Sequence, residues 1–142
     1  MKGIALGLAL MLPVALDAPR KTPAAAAAPT APATNEKGRQ VFQQACAVCH
    51  MVDGSGVPNM QPALDGGNKL VMGDPGTLIA LLLKGAEGAL PANRQRYANQ
   101  MPAFDTLSDD EIAAVLSYVR SSFGNKAPAI TPKQVAAARA KR

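Results

Sequence analysis

Two cysteines and the only histidine of this chain stand within five consecutive residues, Cys46-Ala47-Val48-Cys49-His50. Two thiols separated by two residues and followed at once by an imidazole are typical of a c-type haem attachment site. In such a site both sulfurs form thioethers with the porphyrin, and the adjacent histidine binds the iron. The pattern therefore predicts one covalent haem c, attached at Cys46 and Cys49, with His50 as an iron ligand.

Two other chemistries also use closely spaced cysteines. A thioredoxin-like dithiol is expected near a βαβ unit, and the residues around Cys46 show no alternation with a period of two. A zinc site takes four protein ligands, whereas cysteine and histidine together supply three in this sequence. Haem is therefore the favoured interpretation, and the dithiol is its main alternative.

The second iron ligand has to come from elsewhere in the chain, because His50 is the only histidine. A methionine thioether is the remaining strong ligand, and it raises the potential of a c-type haem. Met101 is the preferred candidate, since it lies far from His50 in sequence and precedes Pro102, which restricts its backbone to an extended conformation. Met60 and Met72 stay open as alternatives, and packing is the ordinary role of a loop methionine.

Three helices are expected to position these residues, and none of the remaining sequence has a strand pattern, so the predicted fold is all-α. Apolar residues at helical spacing predict the helices at about residues 35–45, 75–84 and 109–122. The intervening segments 53–68 and 86–102 are rich in glycine, proline and other turn formers, which predicts loops.

Capping residues define where two of these helices begin. Asp74 and Pro75 suit the N-cap and first position of the second helix, and Gly85 suits the position after its end. Ser108 and Glu111 have the spacing of a capping box, which predicts the start of the third helix.

The ends of the chain differ in composition from the middle. Residues 1–18 have a positive start and an apolar run typical of an export signal, although the cleavage site is uncertain and could fall within 18–28. Residues 19–35 are rich in alanine and proline and are predicted to be a linker. A single domain is expected over residues 36–125, followed by a basic tail at 126–142 in which Thr131 and Pro132 predict a helix start.

The net charge of +5 belongs to these ends rather than to the domain. Residues 36–125 carry more acids than cations, whereas the tail has cations and no acid. No basic patch of the kind used for nucleic acid is therefore expected on the domain. The tail is interpreted as a solvated end, with binding to an acidic partner or an anionic lipid as the alternative.

Several further motifs resemble class I cytochromes c of bacterial type. They are Gly54-x-Gly56-Val57-Pro58-Asn59, Pro62-Ala63-Leu64, Met101-Pro102-x-Phe104 and the pair Leu107-Ser108-Asp109-Asp110-Glu111-Ile112 and Ser117-Tyr118-Val119-Arg120. The similarity covers about residues 37–125. More narrowly, the chain resembles the haem domains of cytochrome subunits of membrane-linked alcohol and sugar dehydrogenases, although it has one haem motif rather than three.

The resemblance implies a small cytochrome c fold, in which three main helices and long loops wrap around one covalent haem. It also implies that His50 and Met101 are the axial ligands and that the carbonyl of Pro62 accepts a hydrogen bond from the other ring nitrogen of His50. Gly38 and Phe42 would meet Tyr118 where the first and last helices of the domain cross.

These expectations indicate an electron carrier rather than an enzyme, because two axial ligands leave the iron no position for a substrate. Its expected partners are redox proteins, namely a dehydrogenase, an oxidase or other cytochromes, and the expected site is the periplasm. Two alternatives stay open, a haem subunit stably docked to a dehydrogenase or oxidase, and a haem enzyme or sensor with a displaceable methionine. A monomer is expected, with membrane association through an uncleaved signal or the basic tail as a further option.

Overall fold

Helices and loops make up residues 31–141, the part of the chain that the computed structural model describes. The elements are α1 (Ala31–Val41), a π-helical segment (Phe42–Cys46), α2 (Ala47–His50), α3 (Lys69–Met72), α4 (Pro75–Ala89), α5 (Asp109–Ser121) and α6 (Pro132–Arg139). Within these residues the only β pairing is one isolated bridge between Val57 and Gln61. The predicted all-α fold is confirmed.

The first helix is longer than its sequence pattern indicates. It begins at Ala31 and continues through the π-helical segment into α2, so it ends at His50 rather than near residue 45. The last residues of the predicted linker are therefore helical, while the rest of that linker and the predicted export signal lie outside the described residues. In the π-helical segment the amide of Ala47 donates to the carbonyl of Phe42, which widens the turn that leads into the cysteine pair.

Helices α1 and α5 cross at a glycine, as expected. A Cβ atom on Gly38 would lie 2.7 Å from the Cβ of Tyr118, so only glycine allows this close approach. One turn later the fully buried ring of Phe42 packs 5.6 Å from the ring of Tyr118 and 5.2 Å from that of Phe123. These ring contacts restrain the angle between α1 and α5, and with it the position of the motif that follows α1.

Helix α4 has the predicted start, but it extends beyond the predicted end. The side chain of Asp74 caps the helix by accepting a 2.8 Å hydrogen bond from the amide of Thr77. Gly85 interrupts the helix with a left-handed backbone (φ 72°), and one further turn then runs to Ala89. The first residues of the predicted loop 86–102 are therefore helical.

Helix α5 is the central element of the described structure. Its predicted capping box is present, since Ser108 and Glu111 bond each other's backbone amides. Most of the helix is buried, including Ile112, Val115, Leu116 and Val119. Because α5 contacts α1, α3, α4 and α6, it supplies the common surface on which the other helices pack.

The basic tail is folded onto this core and is not a free solvated end. The predicted cap at Thr131 accepts a hydrogen bond from the amide of Gln134 and opens α6. Ile130 and Val135 are buried, with 3% and 0% of their surface exposed. The interpretation of this segment as solvated was therefore wrong, because Ile130 and Val135 join the buried core and α6 contacts α5 and α4.

Between residues 31 and 141, none of the helices combines the length and the apolar character needed to cross a bilayer.

Candidate functional site

The predicted haem motif lies where the π-helical segment passes into α2. Cys46 ends the π-helical segment, and Cys49 and His50 lie in the short α2. His50 is buried, with 8% of its surface exposed. Met51 follows with a positive φ of 63°, which ends the helix directly after the histidine. The local backbone therefore presents both thiols and the imidazole within little more than one helical turn.

The imidazole of His50 is held by a backbone carbonyl. Its Nδ1 atom lies 3.0 Å from the carbonyl oxygen of Pro62. Because a carbonyl can only accept, Nδ1 must carry the proton, which leaves Nε2 with a free lone pair. Burial lowers the pKa of His50, and the hydrogen bond to Pro62 offsets part of this effect. The ring is thus set up as a neutral ligand with Nε2 as its donor atom.

A tight loop holds this carbonyl in place. The amide of Gly56 donates to the carbonyl of His50 at 3.1 Å. Gly56 has a φ of 64°, and a Cβ atom there would lie 2.6 Å from the carbonyl oxygen of Pro62. The bridge between Val57 and Gln61 closes the same loop. Glycine at position 56 is therefore required for the carbonyl of Pro62 to reach the histidine.

Met101 is held from the side of α4. Its carbonyl accepts a 3.0 Å hydrogen bond from the amide of Ala86, and the amide of Phe104 donates to the carbonyl of Leu82 at 2.7 Å. A Cβ atom on Gly85 would lie only 3.0 Å from the carbonyl oxygen of Met101. The interruption of α4 therefore allows the extended segment around Met101 to pack directly against the helix.

The histidine and the methionine border the same crevice. Three neighbouring cavities of about 290, 230 and 80 Å³ share Pro62 and Met101 in their walls. Cys46 and His50 line the first and third of them. The remaining walls are largely apolar and are supplied by side chains such as Leu70, Leu81, Leu82, Val115 and Leu116. The structure thus brings the predicted site residues to one apolar crevice, and Cys49 borders its largest cavity.

The two alternative methionines are placed elsewhere. Met60 and Met72 are 40% and 37% exposed, and neither lines any of these three cavities. The carbonyl of Met60 accepts a 3.1 Å hydrogen bond from the amide of Asn99, so its backbone joins two loops. Of the three candidates, Met101 is the one that faces the crevice.

The two cysteines differ little in burial, and both are free thiols in the polypeptide. Burial, together with the neighbouring Cys49, raises the pKa of the Cys46 thiol to about 11. Between them Val48 is 81% exposed. The motif therefore lies at the boundary between the crevice and solvent, where Cys46 lines two of the cavities and Cys49 lines one.

The crevice fits a haem by its donor set and its walls. An imidazole nitrogen and a thioether sulfur are the axial ligands of low-spin c-type haem iron. Two thiols stand beside the imidazole, and apolar side chains surround the space. His50 and Met101 would bind the iron, and Cys46 and Cys49 would hold the porphyrin.

Two contributors to this site were not predicted from the sequence. Gly85 was expected only to end a helix, yet it also makes room for the segment of Met101. Arg139, in the basic tail, hydrogen-bonds the residues that follow Met101. A glycine that ends a helix can be recognised from the local sequence. The contacts of Gly85 and Arg139 with the segment around Met101 cannot, because each joins residues that are distant in the chain.

Comparisons with known proteins agree with this geometry. The model of the cytochrome c family matches residues 35–123. Cytochrome c-552 of Thermus thermophilus is 31% identical over 125 residues, which covers 73% of this chain and 95% of that protein. The cytochrome c subunit of a quinone alcohol dehydrogenase from Gluconobacter oxydans is 41% identical over 93 residues. That match covers 64% of this chain and 19% of the subunit, so the chain spans about a fifth of this relative's length.

Fold, crevice and similarity together define a small haem protein with one attachment motif. The chain belongs to the cytochrome c family. As a member of that family it carries a covalently bound haem c with its iron, and its role is electron transfer.

Proposed function

We propose that this chain is an exported monohaem electron carrier in which His50 and Met101 are the axial ligands of the iron. Cys46 and Cys49 are its haem attachment points, and Pro62 orients the histidine. The observation that supports this assignment is that Cys46, His50 and Met101 line the same two cavities.

His50 and Met101 would hold the iron of a bound haem, and the backbone around each of them restrains its position. Haem c supplies one-electron exchange between ferrous and ferric iron. The Nδ1 proton of His50 is bound to the carbonyl of Pro62, which fixes the ring and makes Nε2 a better electron donor. Met101 is tied to α4 through its own carbonyl. Because neither side chain needs to move, the site favours electron transfer over bond-making chemistry.

Redox partners are proposed to approach the side of the motif that faces solvent. Val48 lines the largest cavity and is 81% exposed, which gives an apolar rim at the edge of the crevice. Electron-transfer encounters bury little surface and are weak. The partners are therefore other redox proteins that meet this rim briefly.

The proposed location is the periplasm. Lys2 and the apolar run that follows it are typical of an export signal, and bacteria attach c-type haem outside the cytoplasm. We propose a monomer that is released from the membrane. Retention through an uncleaved signal is the alternative, and the intact mass of the mature protein distinguishes the two.

A second candidate is a haem subunit that docks stably to a larger complex. It is favoured by the 41% identity to the alcohol dehydrogenase subunit and by the 36% identity, over 90 residues, to a cbb3-type cytochrome c oxidase subunit of Rhodobacter capsulatus. Size-exclusion chromatography of detergent-solubilised whole cells separates the candidates. Elution of all the haem-stained protein with a dehydrogenase or an oxidase supports the subunit, and elution at the size of one chain supports the carrier.

Mature protein provides the direct test of the haem assignment. We expect a mass that exceeds the polypeptide by one haem, and a reduced-minus-oxidised spectrum of c type. Replacement of Cys46 or Cys49 by alanine should leave one thioether and shift the haem absorption. Material that is colourless, or whose pigment is extracted by acidified organic solvent, would contradict covalent attachment.

Methionine variants test the second ligand. Met101→Ala should abolish the far-red absorption that a methionine–iron bond gives to the ferric protein, lower the midpoint potential and allow carbon monoxide to bind the ferrous protein. Met60→Ala and Met72→Ala are matched controls, because both side chains are exposed and lie away from the crevice. Loss of the far-red absorption in either control, with its retention in Met101→Ala, would assign the ligand differently.

A further inference from the structure

The segment that follows Met101 is attached to the rest of the molecule at two sides. On one side the amide of Phe104 donates to the carbonyl of Leu82, and Met101, just before the segment, accepts from the amide of Ala86. On the other side it approaches α6, the helix of the basic tail. The segment 102–108 therefore lies between two helices that come from distant parts of the sequence.

Arg139 of α6 hydrogen-bonds this segment through its guanidinium group. Arg139 donates from Nη1 to the carbonyl of Asp105 at 2.8 Å and from Nη2 to the carbonyl of Leu107, also at 2.8 Å. Its Nε atom lies 2.9 Å from a carboxylate oxygen of Asp109, the first residue of α5. The planar fork of arginine can satisfy all three acceptors at once, which lysine cannot do.

Helix α6 is anchored without the help of this arginine. Val135 is fully buried, and the hydroxyl of Ser117 both donates to the carbonyl of Ile130 at 3.1 Å and accepts from its amide at 2.9 Å. Arg120 bonds the carbonyl of Pro128 at 2.8 Å. Arg139 therefore extends from a fixed platform, and its removal leaves that platform docked.

We propose that Arg139 is a positioning residue for the axial methionine. It restrains the segment 102–108 and thereby sets how often the sulfur of Met101 leaves the iron. The inference rests on the proposed function, in which Met101 is the ligand. Residue 139 lies beyond residue 123, where the match to the cytochrome c family model ends, so this restraint lies outside the matched residues.

Imidazole is a suitable probe, because it competes for the position that Met101 occupies on ferric iron. At saturating imidazole the observed rate reports the opening of the methionine side rather than the encounter. For Arg139→Ala we expect this rate to rise about tenfold, as for the loss of charge-assisted hydrogen bonds at a half-exposed site. Arg139→Lys keeps the charge but not the forked donor geometry, so its rate should lie between that of Arg139→Ala and that of the wild type.

Arg39→Ala is the matched control. Arg39 also makes a fork-like ion pair, with Glu36, but it lies on the exposed face of α1 away from Met101. Its rate should equal that of the wild type. Global unfolding in urea, measured for every variant, separates local opening from general instability.

Three outcomes would overturn the proposal. They are an unchanged imidazole rate in Arg139→Ala, an equal acceleration in Arg39→Ala, and an Arg139→Ala rate equal to its rate of global unfolding. If Arg139→Ala does not accumulate as folded protein, Arg139→Lys decides, and a wild-type rate there counts against the proposal. A wild-type ferric protein without far-red methionine–iron absorption would instead contradict the proposed function, and the two failures are therefore distinguishable.

Discussion

The carbonyl oxygen of Pro62 lies 3.0 Å from Nδ1 of His50, and the backbone of Gly56 packs against the same carbonyl. The hydrogen bond makes the imidazole more electron-rich, which favours ferric iron. The glycine gives the carbonyl the space it needs. A change at position 56 should therefore alter the midpoint potential of the haem, although residue 56 is not one of the proposed iron ligands.

Gly56→Ala tests this relationship. A Cβ atom would lie 2.6 Å from the carbonyl of Pro62, so the carbonyl must move and its bond to His50 must weaken. If the bond contributes about 1 kcal/mol to the preference for ferric iron, the midpoint potential should rise by about 40 mV. Redox titration measures the shift. The control is Gly67→Ala, whose Cβ would meet a side-chain oxygen of Asp65 at 3.3 Å, and equal potentials in the two variants would contradict the prediction.

Gly85→Ala tests the packing of the methionine segment on α4. The residue combines a φ of 72° with close contacts to the backbone of Met101 and Ala103, so alanine should lower the free energy of unfolding by about 1–3 kcal/mol. Urea unfolding measures this loss, and the far-red absorption should weaken in the same variant. Gly88→Ala, in the last turn of α4, should change stability by less than about 1 kcal/mol. Equal losses at the two glycines would show that the strained backbone is unimportant.

The capping contacts could be predicted from the sequence because their partners are neighbours. Asp74 with Thr77, Ser108 with Glu111 and Thr131 with Gln134 are each three residues apart, and all three caps are present. A short spacing of this kind is set by helix geometry alone. The end of α5 also followed from a local pattern, whereas the first helix and α4 run past their predicted ends. The crossing of α1 with α5 was expected from the family resemblance.

No local sequence pattern predicts the contacts that bring distant segments together. Three features depend on packing against the rest of the chain. They are the π-helical segment that ends at Cys46, the bond from Ala86 to Met101 and the docking of α6. Three of the eight residues of α6 are alanine and one is valine, so the helix has no apolar stripe that would predict the burial of Val135. Tertiary packing decided these features, as it commonly does for short helices.

Arg120→Met tests a buried polar junction of the core. The guanidinium is 2% exposed and donates to the carbonyls of Val71, Gly73 and Pro128 at 2.7, 3.0 and 2.8 Å. Methionine fills the space but leaves three acceptors without this donor, so the free energy of unfolding should fall by about 3 kcal/mol. Urea unfolding is the measurement, and a loss no larger than that of the exposed Arg39→Ala would refute the role of the junction.

Glu111→Gln tests the pH dependence of the capping box on α5. The hydrogen bond with the Ser108 side chain holds the pKa of Glu111 below its ordinary value of 4.5. A lowered pKa in the folded state contributes stability above pH 4.5 and loses it as the pH falls through the lowered pKa. Glutamine keeps the capping geometry without the charge, so the melting temperature of the variant should fall less steeply below pH 4.5. Asp110→Asn controls for the loss of a charge in the same turn, and identical pH profiles for Glu111→Gln and the wild type would argue against this linkage.

Helix α6 also carries a consequence for the order of assembly. Arg139 lies in a helix that follows, in sequence, all the residues that line the crevice, so its contacts form only once α6 has docked. Until then the stretch beyond Met101 lacks one of its two anchors. Docking of α6 is therefore the step that gives this stretch its second anchor.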